Sequence, residues 1–212
     1  MKKIENLRTD YKRDQLNESS LASCPIEQFK LWFNEVLDVI IEPTAMVLST
    51  YSQNKGVSSR VVLLKELQQD GFIFYTNYNS LKSEQIKLNP CVSLLFFWPD
   101  FQRQIRINGL VQKISHESSV NYFKKRPRKS QISAWASSQS SVIKDRFVLE
   151  ALFHDFEKKF KNKTISKPPY WGGYKVVPNS IEFWQGRESR MHDRFLYTKH
   201  QNNKWIINRL SP

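Results

Sequence analysis

The chain has 212 residues, 33 Lys and Arg against 20 Asp and Glu for a formal charge of +13, and 40% hydrophobic residues. That is enough chain for one sizeable core and too little for two comfortable domains, and the charge suits an anionic partner: nucleic acid, a membrane surface or a phosphorylated small molecule. Two cysteines without paired spacing, Cys24 and Cys91, exclude a disulfide framework and a zinc cluster, and no window approaches the ~18 apolar residues of a membrane span.

Residues 1–24 are polar and lack the apolar run of a signal peptide. They read as a mobile segment, or one draped over the surface, ahead of a single domain over 25–212, and the expected location is the cytoplasm. From Pro25 to Ile40 the spacing of Phe29, Trp32, Phe33, Val36, Leu37 and Ile40 predicts an amphipathic helix facing the core, with Pro25 in its first turn.

The period then changes to that of strands. Ala45–Tyr51 and Val57–Leu67 flank a turn at Ser52-Gln53-Asn54-Lys55-Gly56. Within the second run, Arg60 and Lys65 bracket Val61, Val62, Leu63 and Leu64, a pattern that suits a strand buried on both faces. Ionised ends of such a strand need partners. A phosphate, an electron-rich ring, or a local carboxylate such as Glu66 or Asp70 would each serve.

Phe72–Thr76 is the next strand, and Tyr75-Thr76-Asn77-Tyr78-Asn79-Ser80-Leu81-Lys82 leads from it into a helix over Ser80–Asn89. Ser80 is a candidate N-cap, and free N–H groups, the helix dipole and Lys82 together suit an anion. Cys91–Trp98 and Phe101–Ile114 form a further hairpin, in which Gln104 and Arg106 share the face opposite Ile105 and Ile107. Gln104 suits the polar edge of a ring.

A helix over Glu117–Lys125 makes Tyr122 and Arg126 neighbours, with Ser130 beyond. These three suit a second phosphate, or are exposed polar residues around a helix end. Gln139-Ser140-Ser141 is uninformative by itself. A fourth helix spans Asp145–Lys161, and Lys161–Pro169 is a loop. Strands follow at Gly173–Val177, Ile181–Gln185, Met191–Thr198 and Trp205–Leu210. In a strand, Arg190, His192 and Arg194 point to one side. Such a row suits a phosphate ester lying across it. It also suits a solvated edge strand that carries cations against aggregation.

Nine strands joined by short connections, with interspersed helices, imply an α+β protein on an antiparallel sheet closed as a barrel. Six glycines leave no G-x-G-x-x-G or Walker loop, and there is no G-x-S-x-G elbow. The four histidines are dispersed, so no metal site is expected. Difficult chemistry, if the protein is an enzyme, falls to a bound organic cofactor.

These segments, in this order, resemble the pyridoxamine 5'-phosphate oxidase family, flavoenzymes of vitamin B6 metabolism. The match runs from about Leu7 to Pro212. It is carried by Pro43-Thr44-Ala45-Met46, Arg60–Lys65, Phe74-Tyr75-Thr76-Asn77, Arg126-Pro127-Arg128, Trp171-Gly172-Gly173, Glu182-Phe183-Trp184-Gln185-Gly186, Arg190–Tyr197 and the closing Asn208-Arg209-Leu210-Ser211-Pro212.

The resemblance implies a split β-barrel homodimer with FMN at the subunit interface. It implies FMN contacts from Arg60, Val61, Val62, Leu63, Leu64, Lys65, Tyr75, Thr76, Lys82, Gln104, Gln139, Ser140, Trp184 and Arg194. It implies substrate contacts from Lys65, Tyr122, Arg126, Ser130, Arg190 and His192, with Arg8 and Tyr11 closing over the site. Arg190, His192 and Lys65 would serve the chemistry: oxidation of pyridoxamine or pyridoxine 5'-phosphate, with O2 as acceptor. Two departures stand out: Leu81 replaces the usual Arg beside Lys82, and Glu42 replaces a shorter Asp. Two other functions compete. A basic nucleic-acid-binding protein fits the charge but lacks a basic stripe. A split barrel that binds flavin or vitamer without turnover would not need both contact clusters.

Overall fold

A computed structural model of the chain describes residues 3–7, 9–202 and 204–212. Five helices and nine strands follow in the order α1 (Pro25–Val36), β1 (Ala45–Ser52), β2 (Gly56–Leu63), β3 (Glu66–Gln68), β4 (Gly71–Asn77), α2 (Leu81–Leu88), β5 (Cys91–Trp98), β6 (Arg103–Lys113), α3 (His116–Lys125), α4 (Arg128–Ala136), α5 (Arg146–Lys159), β7 (Trp171–Gln185), β8 (Asp193–Lys199) and β9 (Trp205–Arg209). All strand pairs are antiparallel, in the order β2-β1-β5-β6-β7-β4-β3 with β8 and β9 added beside β7.

The run expected as one strand over Val57–Leu67 changes partners in its middle. Leu64 donates its N–H to Thr44 O, but Lys65 donates to Ile73 O. The chain thus leaves β1 for β4, and that hand-over closes the sheet into a barrel. β2 is not buried on both faces: Val61 is 64% exposed, because the outer barrel face is uncovered there. The strands expected at Gly173–Val177 and Ile181–Gln185 are one, β7. Its first half pairs with β4 and its second with β8. Pro178 has no N–H to give the ladder. It sits opposite Gly109, at a register shift, where a Cβ would run into Val177 O.

Inward-facing alternate residues fill the barrel. Phe29 of α1 plugs it, packing on Phe72, Phe96 and Trp98 with ring centroids 5.0–6.2 Å apart. The helix stops at Val36, four residues short of the expected Ile40. Helix α4 was missed because its sequence has little amphipathic pattern; it follows Pro127 directly. Residues 9–24 lie on the barrel. Leu16 is buried and its N–H reaches Asp193 Oδ2 at 3.1 Å, while Arg103 pairs with Asp14 and Glu35 at 2.7 Å each. Among the described residues no helix is long and apolar enough to cross a membrane.

Candidate functional site

A concavity of about 580 Å³ wraps around the β2 edge and is walled by β4, the start of α2, α3, the α4–α5 loop and the start of β7. Its size is that of a small-molecule site. Arg60, Val61, Val62, Leu63, Lys65, Tyr75, Thr76, Lys82, Tyr122, Arg126, Gln139 and Ser140 all line it, so expected residues from five segments converge. Two further residues line it: Leu81, and Trp171, which sequence reasoning left out of the site. Trp171 stacks nearly parallel with Tyr75 and Tyr122, and the Tyr75–Tyr122 centroids are 3.8 Å apart. A Trp before two glycines was the available signal. A Cβ on Gly173 would press on Tyr75 at 2.9 Å, so the close approach of this stack needs a glycine there.

The cavity has two cationic poles. At one, Arg60 Nη1 donates to Leu48 O at 3.2 Å and Thr50 Oγ1 at 2.6 Å, and Nη2 donates to Ser58 Oγ at 2.5 Å. Among the described residues no carboxylate holds it. Asp70 pairs with Lys175, and Glu66 accepts from Gln68. Lys82 Nζ donates to Thr76 Oγ1 and Ser80 Oγ, both at 3.2 Å. Burial, then the nearby Arg60, pushes the Lys82 ammonium down to about 8. Ser80 takes the expected N-cap position but makes no side-chain cap bond: its hydroxyl donates to Asn77 O, and Leu81 N–H reaches Ser140 Oγ at 3.3 Å.

At the other pole Arg126 is half-buried, with its guanidinium 4.7 Å from the Trp171 ring centre. Its buried Nη1 has no hydrogen-bond partner among the described residues. Burial lowers its pKa and raises that of Tyr122. These are not exposed residues around a helix end. Ser130, in the first turn of α4, does not line the cavity. Desolvated cations with only neutral partners, one of them orphaned, call for a buried anion. Two poles joined by aromatic walls fit phosphate esters carrying flat rings.

The remaining expected residues lie elsewhere. Leu64 faces the core. Gln104, Trp184 and Arg194 are consecutive partners across β6, β7 and β8 on the outer face. Arg194 Nε donates to Glu182 Oε1 at 2.8 Å and Nη1 to Ser211 O at 2.7 Å. Arg190 and His192 precede β8, so the single-face row of Arg190, His192 and Arg194 does not exist. Ser189 and Arg190 take left-handed φ of 53° and 62°, which folds the chain into a turn instead of a strand. Tyr11, Arg187, Arg190 and His192 surround a second concavity of about 430 Å³. Tyr11 packs edge-on against Trp184 at 5.8 Å and fills the space a Cβ on Gly186 would take. Arg8 lies outside the described residues. No three His, Cys, Asp or Glu among the described residues are placed to hold a metal.

Fold and cavity define the class: a split β-barrel with a cavity of two cationic poles at its edge. The chain is similar to the solved PhzG from Burkholderia lata 383 in complex with tetrahydrophenazine-1-carboxylic acid, with a TM-score of 0.87 and 27% identity over 94% of this chain and 98% of that one. It shares the fold of a pyridoxamine 5'-phosphate oxidase-related, FMN-binding protein from Nostoc punctiforme PCC 73102 (TM-score 0.71, 17% identity, covering 91% of this chain and all of that one). Residues 33–160 match the pyridoxamine 5'-phosphate oxidase family and residues 171–212 the pyridoxine 5'-phosphate oxidase C-terminal dimerisation region. Pyridoxine/pyridoxamine 5'-phosphate oxidases from Acaryochloris marina and Legionella pneumophila (strain Paris) are 47% and 48% identical to it, each over 99% of this chain and over 95% and 97% of their own lengths. The chain belongs to the pyridoxamine 5'-phosphate oxidase family.

Proposed function

We propose that the protein is an FMN-dependent oxidase. It converts pyridoxamine 5'-phosphate and pyridoxine 5'-phosphate to pyridoxal 5'-phosphate. O2 is the electron acceptor, and H2O2, with ammonia from the amine, is the by-product. The observation that carries this reading is the pair of desolvated cationic poles in one cavity. Arg60, Lys82, Thr76, Gln139 and Ser140 hold the FMN phosphate. Val61, Val62, Leu63, the Leu64 backbone, Lys65 and Tyr75 flank its ring. Tyr122 and Arg126, with Ser130, hold the vitamer phosphate. FMN supplies the two-electron acceptor. The chain's residues bind, orient and stabilise: Lys65 is the cation where negative charge develops, and fixing the vitamer against the ring is orientation catalysis.

Arg190, His192, Tyr11, Trp184, Arg194 and Gln104 complete the site from a second copy. In register across the outer face run Val61, Val47, Leu95, Arg106 and Glu182, beside Phe97, Gln104, Trp184 and Arg194. The cavity lies at one end of that face and Trp184 and Arg194 at the other. A two-fold axis through it sets each cavity against the other copy's Trp184 edge. Phe97, 51% exposed, sits between them. Phe97→Asp is therefore expected to sediment as a folded monomer with weakened FMN binding. A dimer with full affinity would sink this arrangement.

The test of function is spectral. Apo-protein titrated with FMN should become yellow. Pyridoxamine 5'-phosphate, added without oxygen, should bleach the flavin, and unphosphorylated pyridoxamine should do so poorly. Binding of FAD alone, or equal bleaching by both amines, would overturn the proposal.

FMN affinity should also depend on pH. Lys82 is protonated in the free protein below about 8. Above that, binding a phosphate dianion requires proton uptake. The dissociation constant should therefore rise above pH 8, by up to about tenfold per pH unit. Lys82→Met should abolish that slope; a slope retained in the variant would assign it to another group.

A further inference from the structure

We propose that His192 works as a neutral imidazole that donates a hydrogen bond from Nε2 to an oxygen of the bound vitamer, and that the main-chain N–H of Arg187 sets this tautomer. The inference rests on the oxidase reading above. Arg187 N–H donates to His192 Nδ1 at 3.1 Å. A neutral imidazole carries one N–H, so an accepting Nδ1 leaves the proton on Nε2. The only lone pair of the ring then faces the Arg187 amide. His192 can orient an oxygen of the substrate but cannot take a proton from it.

The local backbone builds this contact. The left-handed pair Ser189 and Arg190 turns the chain back on itself, bringing the amide of Arg187 to the ring five residues on. Trp184, at 4.6 Å between centroids, and Tyr11, at 6.0 Å, hold the ring plane.

The charged groups around the ring oppose its protonation. Arg190 and Arg194 are both near it, and burial and these two cations lower its pKa. Asp193 is the one nearby carboxylate among the groups that influence it. Its oxygens already accept from Leu16 N–H, Arg187 Nη1 and Arg209 Nη1, at 3.1, 3.0 and 2.9 Å. It is neutralised there and does not hold an imidazolium. Charging Nδ1 would also break the Arg187 bond. Arg187 is thus a positioning residue: its amide fixes the imidazole, and its guanidinium ties Asp193 and Gln15 of the N-terminal segment.

The test uses FMN-loaded protein with 15N-labelled histidine. The signal lost in His192→Gln, one of four histidines, identifies residue 192. Long-range 15N–1H correlations should report the Nε2–H tautomer, and it should persist as pH falls past about 6.5, where an ordinary histidine charges. The glutamine amide nitrogen falls where Nε2 lies, and the asparagine nitrogen where Nδ1 lies. His192→Gln should therefore retain roughly tenfold more kcat than His192→Asn, the worth of one hydrogen bond. Any acidic limb of the kcat profile that belongs to residue 192 should vanish in His192→Gln. An Nδ1–H tautomer, or His192→Asn turning over as fast as His192→Gln, overturns the inference. Failure of the parent protein to bleach with pyridoxamine 5'-phosphate would instead overturn the oxidase reading, while the tautomer spectrum would stand independently of turnover.

Discussion

Replacing Arg126 by Ala is expected to raise KM for pyridoxamine 5'-phosphate roughly tenfold to a hundredfold while leaving kcat at saturation nearly unchanged. Arg126 is half-buried, its Nη1 has no partner among the described residues, and it lies over Trp171 in the cavity wall. A hydrogen bond to a charged group is worth about 1.5–3 kcal/mol, and about 1.4 kcal/mol is a factor of ten. Here the guanidinium is already desolvated, so the phosphate gains most of that value. Phosphate binding is remote from the reacting carbon, so the loss falls on binding and not on turnover. Arg126→Lys should recover only part, since an ammonium has neither the planar fork nor the stacking surface. Steady-state kinetics check this. FMN affinity should hold, because Arg60 and Lys82 serve the other pole. An unchanged KM would remove Arg126 from the substrate site.

The second large effect is expected at Glu182. This carboxylate is 2% exposed, accepts from Arg194 at 2.8 Å, and also pairs with Arg106. Glu182→Ala leaves two guanidiniums without their shared anion. Breaking a buried pair costs about 3–5 kcal/mol. Arg194 and Arg106 retain 24% and 45% of their side-chain exposure, so both can turn to water, and we expect about 3 kcal/mol. The urea midpoint should fall at constant slope. FMN affinity should fall with it, since Arg194 keeps only its bond to Ser211 O. Glu182→Gln, which preserves shape and one acceptor, should lose less of both. A loss below about 1 kcal/mol in Glu182→Ala would place the pair among solvent-screened surface contacts.

Sequence determined most of the parts. Period-two alternation marked the strands, because a barrel wall has one dry face, and Ile105 and Ile107 are buried where Gln104 and Arg106 are not. The polar cluster residues were legible too. Lys82 follows a strand-to-helix junction, and Arg126 caps the helix end one turn beyond Tyr122, so local geometry placed each of them near its neighbour. Local pattern was silent where one segment serves two partners. The β2–β3 hand-over at Leu64–Lys65 and the continuous β7 across Pro178 are decided by which strands lie alongside. The regular spacing of Arg190, His192 and Arg194 misled, because a left-handed turn at Ser189–Arg190 is not written in alternation. Tertiary structure alone also decided that Asp70 and Glu66 leave Arg60 to neutral oxygens, that Trp171 joins the aromatic wall, and that Gln104, Trp184 and Arg194 face away from the cavity. The Asp70–Lys175 pair and the Trp171–Tyr75 stack join residues tens of positions apart, and the energy of such a contact appears only once the barrel has closed.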